Sequence, residues 1–200
     1  MYNRNLYYKI WFIIGGAISF ILVLLKGISI NFKDLVPLLG ILFTASGITL
    51  VFEQLVFKRI LWIKKPHWFY SWLCPIPYLG GEWTGELISS YTNPETEKEI
   101  APIKAKLKII HKFDCIEVRM DTENIHSVSV VSDILVVNDE TKYLYYTYRA
   151  EPDYDRGQNR IHEGTVKLRI EFDKNKKTIL NGTYFTNRET IGKMRFQKTT

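Results

Sequence analysis

The sequence predicts a two-part protein: an N-terminal hairpin of two transmembrane helices carrying an all-β C-terminal domain, a small closed antiparallel barrel of eight strands. Three observations carry this prediction. Residues 10–25 and 35–52 are uncharged apolar runs of sixteen and eighteen residues. The excess positive charge of the chain lies around them: residues 1–65 hold eight Lys/Arg and only Asp34 and Glu53 as acids, whereas residues 66–200 hold nineteen of each sign. Beyond Gly80-Gly81 the pattern becomes short alternating segments cut by turn residues, with no amphipathic helix of useful length.

The first run, IWFIIGGAISFILVLL, lies between Lys9 and Lys26. At 1.5 Å rise per residue it spans about 24 Å, and residues 27–30 with a snorkelling Lys26 extend it toward the ~30 Å of a hydrocarbon core. The second run, LVPLLGILFTASGITLVF, reaches about 27 Å. The predicted spans are therefore about 10–28 and 35–57. A cleaved signal peptide fits less well, because no small-residue cleavage site follows Leu25 and a second apolar run begins ten residues later. Lys/Arg are denser before the first run and after the second than in the loop between, which holds Lys26 and Lys33, so both termini are expected in the cytoplasm. Glu53 falls at the end of the second span and reads as interfacial. Gly15 with Ser19, and Gly40 with Thr44, are small pairs four apart that would let helices approach closely. Residues 58–78 mix Lys/Arg with aromatics and end in Pro75 and Pro77, reading as an interfacial belt and stiff linker. The expected division is an anchor at 1–65, a juxtamembrane linker at 66–80 and a barrel at 81–200.

Within the C-terminal part the alternation predicts strands at about 82–91, 102–112, 115–121, 126–137, 142–150, 162–173, 177–186 and 190–198. Short Asn/Asp clusters at 121–124, 138–141, 173–177 and 187–190 supply the turns. Parallel crossovers need helices that this segment lacks, so the topology is an antiparallel meander. Eight strands with an apolar face leave two exposed edges unless they close, and closure gives an up-and-down, lipocalin-like barrel holding side chains or one small ligand. Val166, Leu168, Ile170 and Phe172 share one face of their strand, and Lys104, Lys106 and Lys108 share the solvated face of theirs. In YLYYTYRAEP (143–152), Leu144, Tyr146 and Tyr148 alternate with Tyr143, Tyr145, Thr147 and Arg149. Neither set is purely apolar, and a one-residue slip would exchange them.

Catalytic and metal motifs do not occur. His67, His111, His126 and His162 form no ligand spacing, Cys74 and Cys115 are far apart, and Walker, GxSxG and GxGxxG patterns are missing. The expectation is a binder without cofactor or metal, not an enzyme. The neutral C-terminal part also argues against a DNA or RNA polymer as partner. Tyrosine rings stack on bases and arginine forks match phosphate, so Tyr146, Tyr148, Arg149, Tyr184 and Arg188, near strand ends, are candidates for a planar anionic ligand. Tyrosine is equally a good strand former, so packing is the competing account of each. Trp83 in the first strand and Arg195 in the last are expected to meet at the barrel seam as a structural cation-π clamp.

Several segments together resemble a known family. GGEWTGEL (80–87), YLYYTYRAEP, HEGTVKLRI (162–170) and LNGTYFTNRETIGKMRF (180–196), behind two apolar helices, are similar to the two-transmembrane-helix β-barrel effectors of CBASS antiphage defence. The most specific part is the final strand pair, in which Gly182, Tyr184, Phe185, Arg188, Thr190 and Gly192 follow the pattern G-x-Y-F-x-x-R-x-T-x-G. The resemblance implies a cyclic dinucleotide ligand made by a CD-NTase on infection, self-association on binding, and disruption of the bacterial inner membrane leading to abortive cell death. Two other readings remain open from the residues. A constitutive membrane-anchored binder of a lipid or other apolar ligand predicts an apolar mouth with both arginines turned outward, and a purely structural envelope protein predicts no toxicity under any ligand.

Overall fold

The computed structural model describes residues 2–28, 35–90, 101–152, 161–174 and 177–199. It divides into two compact units, residues 2–77 and residues 78–200.

The first unit is built on two helices, α1 (Arg4–Lys26) and α2 (Leu35–Lys64), each long and apolar enough to cross a membrane. Helix α1 begins six residues before the apolar run, because the Asn3 side chain accepts a hydrogen bond from the Leu6 N–H and caps it; Gly27, at φ 60°, ends it in the left-handed conformation that glycine adopts without penalty. Helix α2 outruns its predicted span and continues through Lys64, so Lys58 and Arg59 ride on the helix rather than in a belt after it. Its stretch Phe52–Leu61 is π-helical, with the Trp62 N–H reaching back to the Phe57 carbonyl. There Glu53 accepts from the Tyr7 hydroxyl and pairs with Lys58 Nζ at 3.4 Å, inside an aromatic cluster of Tyr7, Trp11 and Phe57. Ser19 and Thr44 spend their hydroxyls on the Gly15 and Gly40 carbonyls four residues back. Gly15 faces Thr49 of α2, while among the described residues no other element comes within 4 Å of where a Cβ on Gly40 would sit. Residues 66–77 are not a free spacer. Phe69, Leu73, Cys74 and Ile76 are buried, and the Leu73 carbonyl accepts from the Asn3 N–H at 2.9 Å. The loop expected to carry Lys33 and Asp34 lies outside the described residues.

The second unit is a closed barrel of eight antiparallel strands in sequence order: β1 (Gly81–Ser89), β2 (Ile103–His111), β3 (Ile116–Thr122), β4 (Ile125–Val136), β5 (Lys142–Pro152), β6 (His162–Phe172), β7 (Thr178–Thr186) and β8 (Ile191–Lys198). Closure is by β1 on β8, from Trp83↔Lys198 to Ser89↔Gly192. Gly85 permits it: a Cβ there would lie 2.0 Å from the Arg195 carbonyl oxygen. The turns use the expected mechanism. Asn138 Oδ1 accepts from the Glu140 and Thr141 N–H groups, and Asp173 Oδ1 from Lys177 N–H, although Asn175 and Lys176 of that turn lie outside the described residues. In the 187–190 turn Thr186 does this work instead, accepting from the Arg188 N–H, with Glu189 at φ 61°.

Alternation sorts the side chains. Trp83, Leu107, Leu144, Leu168, Leu180 and Phe196 are fully buried and fill the end of the barrel where β1 starts. Burying each such side chain contributes roughly 1.5–3 kcal/mol, so this half of the barrel is its stable core. Lys104, Lys106 and Lys108 are exposed, as is Phe172, the last residue of β6, at the barrel's rim.

Candidate ligand-binding site

The other end of the barrel, where β1 finishes and β8 begins, is lined differently. Strand β5 resolves the ambiguity of its faces: Leu144, Tyr146, Tyr148 and Ala150 point in and are buried, while Tyr145 and Arg149 point out. Register then sets the tyrosines in two adjoining rows, Tyr146↔Val166↔Tyr184↔Gly192 and Tyr148↔Gly164↔Thr186. Each of two tyrosines lies over a glycine. A Cβ on Gly164 would meet the Tyr148 ring at 2.6 Å, and one on Gly192 the Tyr184 ring at 2.3 Å, so the missing side chains are what give these rings their place.

The three phenols differ in how their polar ends are treated. Tyr146 is 2% exposed, its hydroxyl has no hydrogen-bond partner among the described residues, and burial raises its pKa. The hydroxyl of its cross-strand neighbour Ser132 donates to the Ile116 carbonyl instead. An orphaned buried hydroxyl costs about 1–3 kcal/mol, a penalty that a ligand acceptor would relieve. Tyr148 is pushed up to about 12, first by burial and then by neighbouring Tyr184, while the Arg188 guanidinium pulls the other way. Arg188, in the exposed β7–β8 turn, therefore acts at the same rim as Tyr148 and Tyr184. His162, at the start of β6, stands edge-on to Tyr148 with ring centroids 6.2 Å apart. An open depression of about 330 Å³ runs from this rim, beside Tyr148, Gly164 and Thr186, onto the outer wall at Thr147, Thr165 and Phe185. That is at the small end of the range for small-molecule sites.

Of the candidates read from sequence, the fold gathers Tyr146, Tyr148, Tyr184 and Arg188 at one end and excludes Arg149. That arginine is on the outer face, 3.8 Å from Glu151, because residues 146 and 149 have opposite parity on a strand. The Trp83–Arg195 clamp does not form either. Trp83 is wholly buried while Arg195 is on the exposed face of β8, opposite Glu86 and Asn181. The cation over Trp83 is Lys198, 5.7 Å from the ring centroid, and the same ammonium lies 5.4 Å from the Tyr78 ring. Tyr78 in turn stacks on His111, whose Nδ1 accepts the Leu79 N–H at 3.1 Å. Burial, helped by Lys198, lowers the His111 pKa to about 4, so this cluster is held neutral at its imidazole. Sequence reading missed His162, Gly164, Thr186 and the Lys198 clamp. The signal available for Gly164 was a glycine inside a strand of alternating apolar and polar residues. Among the described residues no three His, Cys, Asp or Glu side chains group as metal ligands.

A closed antiparallel cup, packed solid at one end and lined at the other by tyrosines over glycines beneath a rim arginine, is a small-molecule-binding barrel. Residues 74–198 match the family model of the Cap15 cyclic dinucleotide receptor domain, and the chain belongs to that family of CBASS effectors. No curated protein matches the chain.

Proposed function

We propose that the tyrosine-lined end of the barrel binds the cyclic dinucleotide, with Tyr146, Tyr148 and Tyr184 meeting bases or ribose and Arg188 meeting phosphate. The observation that carries this placement is the Tyr146 hydroxyl, buried in the barrel without a partner and adjoining the row in which Tyr148 faces the rim arginine. Stacking supplies about 1–3 kcal/mol per base, and a charge-assisted arginine bond roughly 1.5–3 kcal/mol. Titration calorimetry of the full chain in detergent with a panel of cyclic dinucleotides tests it. Heat with one of them, lost in Arg188→Ala and retained in Arg149→Ala, is the expected result. No heat with any would count heavily against it.

The ligand would come from a CD-NTase made active on infection, and its binding would drive copies of the chain together and break the inner membrane. Tethering in a plane supports this step, since it raises the mutual effective concentration of the barrels so that a modest ligand-induced contact suffices. The topology follows the lysine and arginine distribution, with both termini and hence the barrel in the cytoplasm, where the messenger is made. Dye release from vesicles bearing the full chain, with and without the cognate cyclic dinucleotide, separates this reading from a constitutive apolar-ligand binder.

A further inference from the structure

The barrel has a second depression, at the end opposite the tyrosine-lined mouth. About 260 Å³ in volume, it is lined by Asp173, Lys177 and Thr178 at the β6–β7 turn and by Thr84, Gln197 and Lys198 at the β1–β8 seam. Backbone hydrogen bonds fix both walls. The Asp173 N–H donates to the Lys177 carbonyl at 2.9 Å and the Lys177 N–H to Asp173 Oδ1 at 2.7 Å, closing the turn. The Thr199 N–H donates to the Glu82 carbonyl at 2.8 Å, extending the seam past Lys198. Gln197 pairs with Thr84 on one side and Ile179 on the other, so the two walls stand side by side. The Lys198 ammonium is held over the Trp83 and Tyr78 rings, and burial lowers its pKa. Among the described residues no carboxylate pairs with the Lys177 or Lys198 ammonium. Two lysines against one carboxylate make the lining net positive, in a domain whose residues 66–200 balance nineteen charges of each sign. Exposed Phe172 pairs with Thr178 across the strands, and Lys174 is exposed beside it. Lysines with an exposed aromatic ring are the residue set of a membrane–water interface.

Chain connectivity narrows the occupant. Pro77 ends the unit that holds both apolar helices and is followed directly by Tyr78, whose ring meets the Lys198 ammonium, so of the two barrel ends this is the one tied to the hairpin. The volume falls below the roughly 300–1,000 Å³ of sites that enclose a whole small molecule, and suits a headgroup whose acyl chains stay in the bilayer. We propose that this basal depression binds the headgroup of phosphatidylglycerol, an anionic phospholipid, with Lys177 and Lys198 on its phosphodiester and Thr84, Thr178 and Gln197 on its ester oxygens and glycerol hydroxyls. Asp173 sets the preference among anionic lipids, because a carboxylate accepts from a glycerol hydroxyl and repels the carboxylate of phosphatidylserine. The site rests on the reading of the chain as membrane-anchored, and it uses no residue of the tyrosine-lined mouth.

The test uses the full chain in nanodiscs of phosphatidylcholine, alone or with phosphatidylglycerol or phosphatidylserine added at equal charge, without nucleotide. It follows hydrogen exchange of the Lys177 and Thr199 amides, whose bonds close the two walls. Phosphatidylglycerol is expected to slow both by about fivefold or more, the contribution of one lysine near an anionic surface, and to leave the Arg188 amide in the opposite turn unchanged. Phosphatidylserine should slow them by no more than about twofold. Lys177→Gln, at an exposed turn, should remove most of the slowing while its melting curve and its calorimetry with cyclic dinucleotide stay as in the wild type. Lys198→Gln should remove it too, and Lys177→Gln keeps the test independent of the packing of Lys198 on Trp83. Equal slowing by both lipids, none by phosphatidylglycerol, or slowing that survives the two substitutions together overturns the proposal. So does equal slowing in phosphatidylcholine discs by dissolved glycerol 1-phosphate, which would make the source a soluble ester. A chain that does not stay with the discs on gel filtration sinks the anchored reading and the site with it, whereas a chain that stays, its exchange unchanged, sinks the site alone.

Discussion

Tyr146 shows how a single atom separates packing from binding. Its ring is part of the barrel core, but its hydroxyl contributes nothing to the fold, being buried without a partner. Tyr146→Phe is therefore expected to leave thermal stability unchanged or raise it by up to about 1 kcal/mol, while weakening cyclic dinucleotide binding by about tenfold or more. A melting curve and a titration on one preparation check both halves, and a loss of stability with unchanged affinity would assign the residue to packing. The glycines give the reverse case. Gly164→Ala and Gly192→Ala drive a methyl into the Tyr148 and Tyr184 rings, and each is expected to cost about 1–3 kcal/mol in chemical denaturation. Arg149→Ala, on the outer wall, should change affinity by no more than about threefold.

At the scale of an element, the start of β1 and the end of β8 are held by the stack of Lys198, Tyr78 and His111. The His111 pKa is lowered from 6.5 to about 4 by burial. A histidine depressed in the folded state binds its proton more readily when unfolded, so the stability it contributes is complete above pH 6.5 and is lost as pH falls toward 4. Of a full shift worth about 3 kcal/mol, about 2.4 kcal/mol is lost between pH 7 and 4.5, and at the ~2–4 °C per kcal/mol of a chain this long the midpoint should drop by roughly 5–10 °C. Scanning calorimetry of wild type and His111→Gln across that range checks it: the variant should begin lower and vary less. The strands were legible to within two or three residues because period-two alternation and Asn/Asp turns are local signals. Helix ends were less so. Hydropathy does not sense an Asn3 cap, nor does a charge stop a helix, so α1 started early and α2 ran on through Lys58 and Arg59.

For the whole molecule, ligand binding and folding are linked. Cyclic dinucleotide at about a hundred times its dissociation constant should stabilise the barrel by ~2.7 kcal/mol, raising its midpoint in proportion to the logarithm of concentration. Fluorescence melting of the full chain in detergent follows this, and a ligand that binds without raising the midpoint would be bound outside the folded barrel. The helix pair belongs to a separate compact unit with its own aromatic and polar core, so its melting is expected to be insensitive to the nucleotide until copies associate.

The sequence by itself determined the order of parts, two apolar helices before an eight-stranded meander, because burial of apolar surface and satisfaction of backbone hydrogen bonds are written in short-range pattern. It also brought together the motif whose Gly182, Tyr184, Arg188 and Gly192 lie on one hairpin. Only the tertiary structure decided which face of β5 looks inward, and with it that Tyr146 and Tyr148 line the cup while Arg149 does not. It likewise assigned Lys198 rather than Arg195 to Trp83. These are matters of register between strands distant in the chain, where a shift of one residue inverts every side chain and no local preference opposes it.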